Sequence, residues 1–345
     1  MRAEPTTVTL RLRAKRGPWE EHRHRRDDRG RFAEHAGTAP SALPNTRTSG
    51  RSVPDAELLG SRHRPAGTVK AAICGSLAQR MAHISDDQLL SERQRDRLAR
   101  VRSGQLAAYR HDYGTTEYPE YVDQADLDSG ARREPWGYVR MSGDEYRAFV
   151  RAEAVSSLMA GWASTANDHD SNALALQETA RRRFNLVDTM PRDHSDEELE
   201  ADTQWVLDNE GQVLDAFPTA MWATTQEHFA ALSIDHVTVH RGFTDGVDDT
   251  RTREVDGSGT VTDFPLRPLS SFSTREDIAE QFATQGGDGF GHVMSGDVPV
   301  SRILAVPGTG IGCLDEMEVV LLAGPGEWHL YEVHPGESDD YVDED

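Results

Sequence analysis

The periodicity of the chain changes near Ile234, and this change limits the folds that it can adopt. Before that point apolar residues recur every three or four positions, which is typical of helices that bury one face. After it, short segments rich in β-branched residues alternate with glycine and proline, which is typical of strands joined by turns. Helices followed by strands, rather than alternating with them, predict an α+β fold.

Three predicted helix starts carry a capping box, in which a serine and a residue three positions later satisfy each other's free backbone amides. The pairs are Ser85 with Gln88, Ser142 with Glu145, and Ser195 with Glu198. After the second start, six apolar residues at helical spacing predict one buried stripe: Phe149, Val150, Val155, Leu158, Met159 and Trp162. We assign the aromatic residues of this stripe to the core rather than to a ligand-binding cage.

Composition divides the chain into regions. Residues 1–66 are rich in Arg, His, Pro, Gly, Ser and Thr without a sustained period, which predicts a disordered basic tail. Residues 67–139 are predicted to form a helical accessory region, and residues 140–335 the main folded domain. Residues 336–345 are predicted to be a solvated acidic tail, since six of the last nine residues are carboxylates.

The charge and the cysteines exclude several classes of function. A formal net charge of -22 argues against a general nucleic-acid binder, because phosphate neutralisation needs a basic face. Cys74 and Cys313 have neither disulfide-framework nor metal-ligand spacing, so we expect no metal and a reducing compartment. The sequence shows neither an apolar run of about 18 residues nor a signal-peptide pattern. These observations predict a soluble cytoplasmic protein with no membrane partner.

The stretch "CLDEMEVVLL", residues 313–322, places two carboxylates at the mouth of an apolar segment. Within a strand, Glu316 and Glu318 would point to the same side. Neighbouring carboxylates repel each other, so their burial favours a nearby guanidinium or a developing carbocation. A solvated strand end also explains this pattern, so its meaning depends on the other polar strand ends.

Two other strand ends carry polar residues. In "VTVHRGF", Arg241 can bind a pyrophosphate or a carboxylate through its planar guanidinium, and Gly242 leaves the backbone open to a ligand. In "PLSSFSTREDIAEQF", Ser271 and Ser273 share one face of a short strand that leads into a helix. An ordinary salt bridge for the arginine and helix capping for the serines are the alternatives.

In order and spacing these pieces resemble the R-S-E class of mono-ADP-ribosyltransferases, which includes bacterial binary toxins and arginine-specific eukaryotic enzymes. The pieces are Arg241-Gly242, Ser271-Phe272-Ser273 and Glu316-Met317-Glu318. The resemblance implies that residues 140–335 form a catalytic domain, a split β-sandwich with flanking helices, after the helical region. Phe272 departs from the class pattern of Ser-Thr-Ser, and it leaves the strand register open, because Ser270 competes with Ser271 for the same role.

The resemblance also implies a reaction and a role for each residue. Enzymes of this class break the bond between nicotinamide and ribose in NAD, their substrate, and transfer ADP-ribose to a protein. The resemblance assigns catalysis to Glu318 and Glu316, and NAD binding to Arg241, Gly242, Ser271, Phe272 and Ser273. Ser271 would hold Glu318 by a hydrogen bond, and Glu316 would orient an arginine side chain of the target protein.

The segment "RDDRGRFAEH", residues 26–35, is similar to a short element near the ends of tailed-phage head and portal-associated proteins. This resemblance implies a phage-encoded enzyme that accompanies head or portal proteins and acts in the host cytoplasm. A solvated charged stretch is the alternative.

Other functions fit the same motifs. The chain could be a non-catalytic structural or scaffold protein with a degenerate domain, or an NAD glycohydrolase that transfers the ribosyl cation to water. A glycosidase is disfavoured, because adjacent residues on one strand face do not flank a sugar bond from opposite sides.

Overall fold

The computed structural model describes residues 47–48, 51–52, 55–60, 66–112, 119–163, 170–186, 197–244, 258–262, 264, 266–284, 291–313 and 315–333. Within them the chain is a mixture of helices and antiparallel sheets, which confirms the α+β class. Ser195 and its predicted capping box, the segment 26–35 and the acidic tail 336–345 lie outside the described residues.

Most of the helices precede the main sheet. They are α1 (Asp55–Leu58), α2 (Ala66–Arg80), α3 (Asp86–Leu89), α4 (Glu92–Arg102), α5 (Gln124–Asp128), α6 (Gly143–Ala163), α7 (Ser171–Arg183), α8 (Glu197–Leu232) and α9 (Glu276–Thr284).

The capping boxes that lie in the described residues are confirmed. The Ser142 N–H donates to the Glu145 carboxylate at 2.8 Å, and the Glu145 N–H donates to the Ser142 hydroxyl at 3.2 Å. The Ser85 N–H donates to the side-chain oxygen of Gln88 at 3.0 Å. A further box, Ser91 with Gln94, starts α4 and is not among the three that the sequence analysis identifies.

The strands form a main sheet and two small sheets. They are β1 (Arg47–Thr48), β2 (Arg51–Ser52), β3 (Leu106–His111), β4 (Glu120–Asp123), β5 (Tyr138–Arg140), β6 (His236–Thr244), β7 (Ser258–Thr262), β8 (Leu269–Ser273), β9 (Gly291–Pro299), β10 (Ile303–Ala305), β11 (Glu318–Leu322) and β12 (Glu327–Val333). The main sheet has the order β10-β11-β8-β6-β9-β12-β7, and the small sheets are β4-β3-β5 and β1-β2. The region 67–139, predicted to be helical, therefore also contains most of the sheet β4-β3-β5.

The main sheet is narrowly joined between β8 and β6, which pair at a single position, His240 with Ser273. We call strands β10, β11 and β8 the Glu318 half, and strands β6, β9, β12 and β7 the His240 half. The resemblance implied a split β-sandwich, whereas strands β6 to β12 form one continuous sheet with this junction. Beyond the junction the ladder between β6 and β8 stops, so backbone groups there are available to side chains.

Each side of the Glu318 half contacts its own hydrophobic cluster. On the helix side, Leu269, Val320 and Leu322 pack with residues of α2, α6 and α8. On the other side, Phe272, Val319 and Leu321 pack with Val239, Met294 and Trp328 of the His240 half. The helix-side cluster also contains Leu77 and Leu98, so residues 67–139 share a core with the residues that follow them.

A short segment before α2 is folded, contrary to the prediction of a disordered tail over residues 1–66. Leu58 and Leu59 are fully buried, and the Leu59 carbonyl accepts a hydrogen bond from the Gly308 N–H at 2.8 Å. The ring of His228 contacts the Leu58 carbonyl at 2.8 Å. Composition averaged over the polar region hides two adjacent leucines that bury enough apolar surface to order their own segment.

Candidate functional site

Glu318 begins β11 with its carboxylate bound by donors from three parts of the chain. The Ser271 hydroxyl donates to Oε1 at 2.5 Å, and the Cys313 backbone N–H donates to Oε2 at 2.6 Å. The indole N–H of Trp162, on α6, lies 3.4 Å from Oε1. Only 6% of Glu318 is exposed. A carboxylate removed from water in this way needs such donors, and they fix its position.

The register of β8 decides which serine contacts Glu318. The Ser271 side chain meets the carboxylate, whereas the Ser270 hydroxyl donates to the Arg267 carbonyl at 3.3 Å. Neighbouring strand residues point to opposite sides of the sheet, so only one of the two serines can reach the acid. The alternative that the sequence left open is therefore resolved geometrically in favour of Ser271.

Arg241 lies at the junction of the two halves. By strand alternation its side chain leaves β6 on the side opposite to His240. Its Nη1 nevertheless donates to the Ser271 carbonyl at 3.1 Å, and the guanidinium lies 5.4 Å from the ring centre of Phe243. Ser271 thus binds Arg241 through its carbonyl and Glu318 through its hydroxyl, joining residues that are 30 and 47 positions away from it.

Glu316 is not on the strand, and the prediction that it shares a strand face with Glu318 is wrong. Residues 315–317 form a turn in which Met317 has a φ of 48°, a left-handed conformation that breaks the alternation of an extended chain. The turn closes through the Glu318 N–H, which donates to the Cys313 carbonyl at 3.0 Å. Glu316 therefore lies on a separate, partly exposed turn directly before the strand.

Three residues that the resemblance assigned to NAD binding make contacts within the protein that hold neighbouring elements together. The Ser273 hydroxyl donates to the Glu316 carbonyl at 2.9 Å and accepts the Arg275 N–H at 3.0 Å, so it ties the turn to the start of α9. Phe272 is 3% exposed and stacks on Trp328, at 5.3 Å between ring centres. A Cβ at Gly242 would lie 1.9 Å from the Ala279 carbonyl oxygen. The glycine is thus required by the approach of α9 rather than by a ligand.

Two groups that contact Glu318, from Trp162 and Cys313, are not marked by any of the sequence motifs. Trp162 fits the helical stripe, and its spacing gave no sign that its N–H meets an acid 156 positions away. Cys313 contributes its backbone N–H. Burial, together with the charge of Glu316, raises the pKa of the Cys313 thiol to about 11, so at neutral pH this thiol is protonated and is a poor nucleophile.

Polar residues continue from Ser273 into the His240 half. His240 pairs with Ser273 on one side and with Ser295 on the other, so the three side chains share a face. The His240 Nδ1 lies 2.7 Å from the Ser295 hydroxyl. Burial lowers the pKa of His240 below its usual value, while the charges of Glu276 and Asp277 oppose that shift. His240 thus has a hydroxyl partner in Ser295 and lies in the field of two acidic side chains.

No three His, Cys, Asp or Glu side chains in the described ranges are grouped as a metal site requires. None of the helices in this part of the chain combines the length and the apolar character needed to cross a membrane.

No family model, curated protein or solved structure matches the chain in comparisons with known proteins.

Proposed function

We propose that the chain is an NAD-dependent mono-ADP-ribosyltransferase that modifies arginine side chains of a protein. The observation that carries the proposal is the double role of Ser271, which binds the Arg241 guanidinium through its carbonyl and the Glu318 carboxylate through its hydroxyl. A cation held by the carbonyl of Ser271 and an anion held by its hydroxyl suit a substrate that has an anionic pyrophosphate and a ribose that becomes cationic.

The chemistry follows from these charges. The bond between the ribose C1′ and the nicotinamide nitrogen breaks, and nicotinamide leaves as a neutral molecule with the bonding electron pair. The positive charge that develops on C1′ and the ring oxygen is stabilised by the Glu318 carboxylate, as in glycoside cleavage. A nitrogen of the acceptor guanidinium then forms a bond to C1′ and loses a proton.

Glu316 is proposed to meet the acceptor. Its turn lies directly before Glu318, and the Ser273 hydroxyl holds its carbonyl at 2.9 Å. A carboxylate on this turn can orient an incoming guanidinium and accept its proton, independently of the strand that carries Glu318.

The test is incubation of the purified protein with tagged NAD and a bacterial lysate, followed by mapping of the modified side chains. We expect labelled arginines, and we expect Glu318→Gln to abolish the labelling. Glu327→Gln is the matched control, since Glu327 is exposed at the start of β12. A protein that labels nothing, or a Glu318→Gln variant that labels as well as the control, would contradict the proposal.

The acceptor is decided by a second measurement. Nicotinamide release is followed in buffer that contains NAD and no other protein. Slow release that lysate protein accelerates supports transfer to an arginine. Release at the full rate without an acceptor protein would instead identify an NAD glycohydrolase, which uses water as the acceptor.

A further inference from the structure

We infer that Trp162 is a positioning residue for the reaction, because its indole N–H holds the Glu318 carboxylate from the helix side. The inference rests on the proposed function, and it adds to that function a residue outside the three motifs. Trp162 lies one residue before the end of α6 and 156 positions before Glu318 in sequence, and it is 4% exposed.

Trp162 contacts the Glu318 carboxylate from a different direction than the other two donors, Ser271 and Cys313. Ser271 and the Cys313 N–H each bind a different carboxylate oxygen. Trp162 adds a second donor at Oε1, at 3.4 Å, from a different element of the fold. The indole nitrogen can only donate, so this contact is directed at the carboxylate oxygen. The terminal torsion of a glutamate is broad, and a donor on a third element limits it.

The helix that carries Trp162 is itself firmly held. Arg151, also on α6, is 5% exposed and donates to the Asp86 carboxylate at 2.6 Å and to the Met81 carbonyl at 2.8 Å. Val155 and Met159 lie one or two turns before Trp162 and are buried in the same hydrophobic cluster. The indole therefore stands on a fixed support, as a residue that must place a catalytic carboxylate to within a fraction of an ångström requires.

The indole also keeps water from one side of the carboxylate. Trp162 and Glu318 are both almost completely buried where they meet. In surroundings of low polarity a carboxylate interacts more strongly with a developing cation than it does in water. The ring excludes water from the carboxylate, and the N–H donates to its Oε1. Replacement of Trp162 by phenylalanine keeps an aromatic ring and removes only the donor.

The chain offers a matched control. Trp222, on α8, donates its indole N–H to the Ser301 carbonyl at 3.0 Å. It is likewise a helix-borne tryptophan packed against the helix-side cluster, but its acceptor is a backbone carbonyl rather than Glu318. A loss caused only by removal of an indole N–H from a helix would affect both tryptophans alike.

The kinetic test measures nicotinamide release by the full-length wild type, Trp162→Phe and Trp222→Phe over a range of NAD concentrations. We expect Trp162→Phe to lower kcat about 10-fold and to change KM for NAD by less than about 2-fold, since a lost hydrogen bond misplaces the carboxylate in the transition state. Trp222→Phe should retain both constants. An active wild type with an unchanged kcat in Trp162→Phe would overturn the inference and leave the proposed function standing.

A spectroscopic test needs no catalysis and no change at Trp162. Indole N–H resonances are recorded for nitrogen-15-labelled wild type and Glu318→Gln. We expect the Trp162 resonance to shift when its anionic acceptor becomes a neutral amide, and the Trp222 resonance to stay in place. An unmoved Trp162 resonance would overturn the inference even if Trp162→Phe failed to fold. A wild type that releases no nicotinamide would overturn both the proposed function and the inference built on it.

Discussion

The two halves of the main sheet are covered in different ways. In the Glu318 half, every residue of β11 is buried. The helix-side cluster lies on one side of the strand, and the cluster that contains Phe272 and Val319 lies on the other. In the His240 half, the first residues of β12 alternate between exposed and buried. A charge in the Glu318 half loses its water and must be matched by donors, whereas a charge on the open face of β12 stays hydrated. The candidate site thus lies where electrostatic interactions are strongest.

The largest expected effect concerns how α9 covers the His240 half. A Cβ at Gly242 would overlap the Ala279 carbonyl, so Gly242→Ala should lower the free energy of unfolding by about 3 kcal/mol. A Cβ added at Gly211, on α8, would meet no neighbouring group within 4 Å. Gly211→Ala should therefore raise the free energy of unfolding by about 0.7 kcal/mol. Urea unfolding measures both. Equal effects would show that α9 is not packed on the sheet as described.

The next effect tests the need for donors in the Glu318 half. Glu318→Ala leaves the Ser271 hydroxyl and the Cys313 N–H without their acceptor, which should lower the free energy of unfolding by about 2 kcal/mol. Glu327→Ala, on the exposed start of β12, should change it by less than about 0.5 kcal/mol. Thermal unfolding of both variants compares them directly. A neutral Glu318→Ala would remove the contrast between the halves.

A smaller effect concerns the junction between the halves. Lysine cannot reproduce the planar guanidinium, so Arg241→Lys should raise KM for NAD about 10-fold. Arg302 is the control: it donates to the Pro325 carbonyl at 2.6 Å, outside the site, so Arg302→Lys should lower stability and leave KM unchanged. Steady-state nicotinamide release provides both constants. An unchanged KM in Arg241→Lys would separate the junction from NAD binding.

The smallest effect is the pH dependence of the His240 half. Burial lowers the pKa of His240 in the folded chain below the ordinary value of 6.5, against the charges of Glu276 and Asp277. The unfolded chain then takes up the proton first, so this residue makes stability fall as pH falls below 6.5 towards the lowered pKa. His240→Asn should flatten that part of the profile, measured as the free energy of unfolding in urea between about pH 5 and pH 8. An identical slope in the variant would contradict this role.

The sequence was sufficient for features that depend on periodicity and short motifs. The change near Ile234 predicts the class of the fold, and the Ser142 box predicts the start of α6 within a residue. The motifs predict that Arg241, Ser271 and Glu318 lie on strands, and the structure has them on β6, β8 and β11. These properties are repeated or local, so they can be read from the residues themselves.

Other features depend on single conformations or on distant partners. One left-handed residue, Met317, moves Glu316 off the strand, and no periodicity reveals it. The apolar spacing of α6 is satisfied equally by a core tryptophan and by one that also binds Glu318. The reason for a glycine at position 242 is the close approach of α9, and the sequence alone does not show which element approaches it.

The bond between Leu59 and Gly308 has a practical consequence for anyone who trims the chain. Gly308 belongs to the same described segment, 291–313, as Cys313, and the Cys313 N–H binds Glu318. The polar composition suggests deleting everything before residue 67. That deletion would remove Leu58 and Leu59 from the cluster that contains Phe272 and Val319, and it would remove the acceptor of the Gly308 N–H. Shortened versions for crystallisation or assay should therefore keep residues 55–60.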